Sequence, residues 1–171
     1  MKLFCVPLLL LLLAACSSAP AQGAGTEDPA DFDLRTDRTA YLAEPTTAFF
    51  YGFSLTAELE NTTADTLYLD LCYPDDTSPI FGIPLAESEE ESAWSPVWAC
   101  VGHSENIVLE PGQVRSDTYQ LEGPTVSQNA QPLGMMEGLF RLTYRARPCP
   151  ADEQCAATDL VSNAFRIELA R

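Results

Sequence analysis

Beyond Lys2 the chain has no lysine, it has a single histidine, and outside its first fifteen positions no window shows the apolar spacing of a helix. Each shortage excludes something. With Lys2 set aside, 25 acids face eight arginines, a formal charge of −17. That field repels nucleic acid, polyanions and anionic head groups, so nucleic acid is not an expected partner. The one histidine, His103, sits in the turn Gly102-His103-Ser104-Glu105. It cannot form a His pair with metal-ligand spacing, and a Ser beside a His in a turn lacks the converging geometry of a triad. No glycine-rich phosphate loop follows a strand. Asp31, Asp33 and Asp37 lie close together without the glycine and bidentate glutamate of a calcium loop, and read as polar residues entering the first strand. The expectation is therefore a protein that is not an enzyme, with no catalytic residue, cofactor or metal. Long apolar runs are missing too. Leu3 to Ala15 is thirteen residues, about 20 Å of helix against the roughly 30 Å of a hydrocarbon core.

What is present at the N-terminus is one cation, a Leu-rich centre and small residues at its end, the pattern of a secretory signal. Leu13-Ala14-Ala15-Cys16 resembles the lipobox of bacterial lipoproteins. The resemblance implies a signal peptide over 1–15, cleavage before Cys16 and acylation of that residue, giving a membrane partner through lipid rather than a span. Ser17 stands where an aspartate would imply inner-membrane retention in Gram-negative sorting, so the implied location is the outer membrane, with the domain in the periplasm or at the cell surface. Residues 16–31 form the lipidated end and a small, polar, Pro- and Gly-containing stretch that predicts a flexible tether. The domain is expected over 32–171, long enough for one core.

Four cysteines remain once Cys5 and Cys16 are set aside, an even number suited to an oxidising compartment. They allow three connectivities. Cys149 and Cys155 flank the turn-rich PADEQ and predict a short local loop, which leaves Cys72 for Cys100. The rival, a four-thiolate zinc site, lacks any Cys-x₂-Cys pair.

Short alternating segments between turn signals predict an all-β, antiparallel sandwich of about seven to nine strands. Phe49, Tyr51, Phe53, Leu55, Ala57 and Leu59 share one face. The polar turn Asn61-Thr62-Thr63-Ala64-Asp65 leads to Leu67, Leu69 and Leu71, with Tyr68, Asp70 and Cys72 on the other face, and the pair is expected to form a hairpin. Asn61-Thr62-Thr63 matches a glycosylation sequon but reads as that turn. Apolar pieces at 80–85 and 93–101 contain Pro84 and Pro96 and predict edge or irregular segments. Ile107 to Leu109, the turn Glu110-Pro111-Gly112, Val114 to Leu121, a loop over 122–137, then Phe140, Leu142, Tyr144 and Ala146, and finally Phe165, Ile167 and Leu169 complete the pattern.

The runs FSLTAELENTTADTLYLDL, a Trp-containing segment, VLEPGQ and GLFRLTYRA resemble the immunoglobulin-like domain of BsuPI-type proteinase inhibitors and related bacterial lipoproteins, over about Thr47 to Ala146. The resemblance implies an immunoglobulin-like fold and, as an alternative activity, proteinase inhibition. No residue match places an inhibitory loop, and the two cysteine pairs and the acidic loop with Glu87, Glu89, Glu90 and Glu91 are additions. That acidic run reads as solvated, and the excess of acids as either a solvation device or a surface for cations and basic proteins. Trp94 and Trp98, four apart in SAWSPVWAC, would face one side of an extended strand, as a core wall or as an exposed contact platform. With Cys100 on the same face and Pro96 between them, the core is the expected place for both. The expected function is a lipid-anchored, non-catalytic binding or assembly module with an unidentified protein partner.

Overall fold

A computed structural model describes residues 32–73, 76–88, 92–100, 106–126, 134–150 and 154–171. The signal segment, Cys16, the tether, Asp31, Glu89 to Glu91 and His103 lie outside the described residues. Among the described residues every regular element is a strand, and the eleven strands form two sheets around one core.

β3 (Tyr51–Asn61) is the longest, and its alternation is the reason. Phe53, Leu55, Ala57 and Leu59 point into the core while Ser54, Thr56, Glu58 and Glu60 point out. β7 (Val114–Gly123) runs antiparallel along its whole length, from Tyr51 opposite Gly123 to Glu60 opposite Val114. On the other edge of β3, β1 (Phe32–Thr36) covers Ala57 to Asn61, and β2 (Ala40–Pro45) meets Gly52 and Tyr51. β2 continues in parallel with β11 (Phe165–Leu169), which pairs antiparallel with β8 (Gly138–Phe140). The second sheet runs β10 (Thr158–Val161), β9 (Thr143–Arg147), β4 (Leu67–Asp70), β6 (Asn106–Leu109), with β5 (Phe81–Gly82) beside β9 as well.

The all-β sandwich is as expected, and five details differ. β3 and β4 do not form a hairpin, because the turn between them carries the chain from one sheet to the other. Asn61 drives that crossing. Its side chain is fully buried, donates Nδ2 to the carbonyls of Asp65 (2.9 Å) and Leu109 (2.8 Å), and accepts at Oδ1 from the Thr63 amide and hydroxyl. Second, the strand count exceeds nine because single expected strands break. Phe140 to Ala146 divides into β8 and β9 at Arg141-Leu142, opposite the three residues Ser162 to Ala164. One extra residue on one side is a bulge, and the bend sends the two halves of the hairpin into different sheets. The bulge is satisfied internally: the Leu142 amide donates to Ser162 Oγ (2.8 Å) and the Ser162 amide to the Leu142 carbonyl (2.9 Å). The inward alternation of Phe140, Leu142, Tyr144 and Ala146 survives intact. Third, β2 and β11 are parallel, against an antiparallel expectation. Fourth, Phe49 is 81% exposed rather than inward, since the Thr46–Phe50 turn precedes the strand and Thr47 Oγ1 accepts the Phe49 and Phe50 amides. Asp70 and Cys72, expected to face away from the core, are buried as well. Arginines cover the first and a disulfide the second.

Both expected disulfides are present, Cys72–Cys100 and Cys149–Cys155. They mark a domain of an oxidising compartment outside the cytosol. No helix among the described residues is long and apolar enough to cross a membrane.

Candidate functional site

The two tryptophans part company, which is the correction that matters most for function. The segment after Ser92 is a turn, closed by the Ser95 amide on the Ser92 carbonyl (3.3 Å), so residues 94 and 98 do not share a strand face. Trp94 is 2% exposed. Its ring packs edge-on against Phe53, with centroids 4.9 Å apart, and Nε1 donates to the Met136 carbonyl (2.8 Å). Gly123 makes room for it: a Cβ there would lie 2.9 Å from both the Trp94 ring and the Ala93 carbonyl. Trp94 belongs to the core.

Trp98 is 37% exposed and stands at the rim of β5. Its indole N–H donates to the Phe81 carbonyl (2.6 Å), and its ring meets the Phe81 ring edge-on, with centroids 5.4 Å apart. Phe81 in turn lies 4.2 Å, centroid to centroid, from the Tyr119 ring. Ser95 Oγ accepts the Ile83 amide (2.8 Å), so side chains of the following segment occupy backbone groups on the outer edge of β5 that another strand would otherwise take. From Pro96 to Cys100 the backbone runs without turn or bend at the surface. Thr125 Oγ1 donates to the Ser95 carbonyl (3.0 Å), Tyr73 Oη to the Ala99 carbonyl (3.1 Å), and Cys100 is tied to Cys72. Between these fixed points Val97 is 75% exposed. Cys100, expected on a buried face, is exposed.

Below this ledge lies a buried polar chain. The Tyr119 and Tyr144 hydroxyls are hydrogen bonded at 2.8 Å, Tyr144 Oη donates to Asp117 Oδ2 (3.3 Å), and Asp117 is held by Arg115 Nε (2.7 Å). Arg115 also donates to the Thr77 carbonyl, tying that residue to β7. Burial pushes both tyrosine hydroxyls well above their ordinary range, Tyr144 furthest, so neither acts as a base near neutral pH. Through the Tyr119 ring the chain underlies Phe81. A second buried carboxylate, Asp70, takes Arg147 Nε (2.8 Å) and Arg145 Nε (3.4 Å), while Arg147 Nη1 donates to the Cys155 carbonyl (2.8 Å). It joins the neighbourhoods of the two disulfides.

The other sequence-read residues fall apart. Asp33 pairs with Arg35 at the surface and Asp37 turns to the Tyr41 hydroxyl (2.7 Å), so the two carboxylates do not converge. Among the described residues no group of three His, Cys, Asp or Glu is placed to hold a metal. A depression of about 540 Å³ opens at the Asn61 end, lined by Phe32, Thr63, Asp65, Leu67 and Arg147. Sequence reasoning identified Trp98 and the cysteines of the ledge but missed Tyr73, Phe81, Val97 and Tyr119. The available signal was Tyr73 following Cys72 directly; the rest depends on loop packing that no periodicity carries.

No family model and no curated protein matches the chain. Among solved structures it is similar to a structural genomics target designated SoR45, at 15% identity and TM-score 0.46, over 80% of this chain and 85% of that one. It is also similar to a PapD-like domain of human CEP192, at 12% identity and TM-score 0.32, over 97% and 99% of the two chains. A β-glucosidase from Listeria innocua aligns at 9% identity and TM-score 0.31, over 78% of this chain but only 16% of the enzyme.

Proposed function

We propose that the protein is a lipid-anchored envelope module, acylated at Cys16 and held at the outer membrane, that binds a protein partner and does no catalysis. The observation that carries the binding role is the segment Ser95–Cys100, exposed at Val97 and Trp98 yet fastened on both sides by a disulfide and side-chain hydrogen bonds. Ordering a contact loop in advance removes the entropy a partner would otherwise have to overcome. The formal charge of −17 favours a basic partner and disfavours polyanions.

The test places a photo-cross-linking residue at Val97 and, as controls, at the exposed strand positions Val108 and Val161. A cross-linked product specific to position 97 supports the reading; equal yields at all three positions refute it. Cys16→Ser tests the anchor separately. Loss of acyl labelling and of the membrane-bound pool is expected, and unchanged labelling overturns acylation at Cys16.

A second reading, proteinase inhibition, draws on the resemblance of the strand runs to BsuPI-type inhibitors and on the same fastened segment. An exposed, fixed, extended loop is the form in which a substrate mimic is presented.

A further inference from the structure

We infer that Ser95–Cys100 is a preformed insert for the substrate cleft of a serine protease, with Val97 as the side chain that enters the specificity pocket. The inference rests on the inhibitor reading and adds the residue and the class of enzyme. Three independent features point the same way. Pro96 fixes its own φ directly after the Ser92–Ser95 turn, and no turn or bend follows from there to Cys100. A protease cleft reads its peptide in that extended form through main-chain hydrogen bonds, as an added strand.

The second feature is which groups are free. Anchors sit at Ser95, Trp98 (through its indole), Ala99 and Cys100. Among the described residues the peptide N–H and C=O of Val97 and of Trp98 make no hydrogen bond within the chain. The anchors hold the frame and leave the central backbone groups for another molecule.

The third is the side chain. Val97 is 75% exposed, against 37% for Trp98 beside it. It is small, branched and uncharged, which suits a shallow apolar specificity pocket and not a deep one with a carboxylate at its base.

The experiment uses the chain from residue 16 onward with Cys16→Ser and both disulfides intact, against three serine proteases whose pockets are small and apolar, large and apolar, and acidic. The expected result is reversible competitive inhibition of the first enzyme only. Val97→Gly should weaken it by at least about tenfold, the scale of lost side-chain contacts in a pocket. Val97→Arg should move preference to the acidic-pocket enzyme, while Val108→Arg, on the exposed face of β6, should change nothing. Thermal melts of the Val97 variants should match the parent, because the side chain is largely in solvent. Inhibition that ignores every change at Val97 overturns the assignment of this segment and leaves the inhibitor reading standing. Absence of inhibition of all three enzymes, or rapid cleavage after Val97, overturns both.

Discussion

At the scale of single residues, Asn61 does the most with the least surface. Its amide meets two carbonyls and two donors from Thr63 inside the core, and its own backbone bonds Gly112 and Gln113. Asn61→Ala strands the Leu109 carbonyl in an apolar setting, and should cost roughly 2–4 kcal/mol in urea unfolding. The same burial denies the amide to a glycosylating enzyme, so the sequon stays unmodified in the folded chain. Three phenols make a second residue-scale case. Tyr41, Tyr119 and Tyr144 are held above their ordinary value of 10.0, chiefly by burial. The folded state keeps these protons when the unfolded chain has begun to lose them. Their stabilising contribution is therefore complete below pH 10 and falls as pH rises above it towards the folded values. Unfolding midpoints should drop steeply above about pH 10, with a slope approaching three protons, and Tyr41→Phe should remove about one. A slope near zero would contradict the burial. Asp37 acts at the other end of the scale. Burial raises it, but hydrogen bonds from Tyr41 and the Thr56 amide, with Arg38 nearby, outweigh burial and hold it below 3.8. Its contribution is present above that value and lost as pH falls through the folded one.

At the scale of elements, alternation explains what was legible. Inward sets such as Phe53-Leu55-Ala57-Leu59 and Phe140-Leu142-Tyr144-Ala146 are visible as period two because each strand buries one face. What alternation cannot carry is which sheet a strand joins. The β8–β9 break leaves the pattern undisturbed, since a bulge changes pairing and direction while side chains keep facing the same core. β1, β2 and β10 escaped notice because each buries only one or two residues. The Trp94–Trp98 spacing misled for a related reason: the turn at Ser92–Ser95 depends on a hydroxyl and two carbonyls, not on hydrophobic period. The bulge can be tested directly. Ser162→Ala leaves the buried Leu142 amide without its acceptor and should cost about 1–3 kcal/mol. Ser162→Thr keeps the oxygen, so most of the loss should be restored. Equal stability of the alanine variant would show that the bulge draws on another acceptor.

For the molecule as a whole, charge is the dominant unbalanced quantity. The six ion pairs among the described residues gather on Asp33, Asp37, Glu58, Asp70 and Asp117, leaving most acids to repel one another through solvent. Salt screens such repulsion beyond about 8–10 Å at physiological strength. Melting temperature should therefore rise as NaCl is added from low values, and each 1 kcal/mol gained corresponds to roughly 3 °C for a domain of this size. A weakly salting-out salt at equal ionic strength should give the same rise. A flat response to both would remove self-repulsion from the account and favour a dedicated site for basic partners.

The parallel pairing of β2 with β11 sets Arg166 opposite Ala40, so the first and last parts of the domain meet. In kinetic terms this is the strand pairing with the longest loop to close, and such closures slow folding. A chain delivered out of the cytosol N-terminus first presents β2 before β11 has arrived. Throughout that interval β2 lacks its strand neighbour on that side and the core lacks Phe165 and Ile167. The chain is then an incomplete sandwich with apolar residues in water, and a chain truncated before β11 should persist as that sticky intermediate. Its survival in a cell depends on whatever holds it until the final strand arrives.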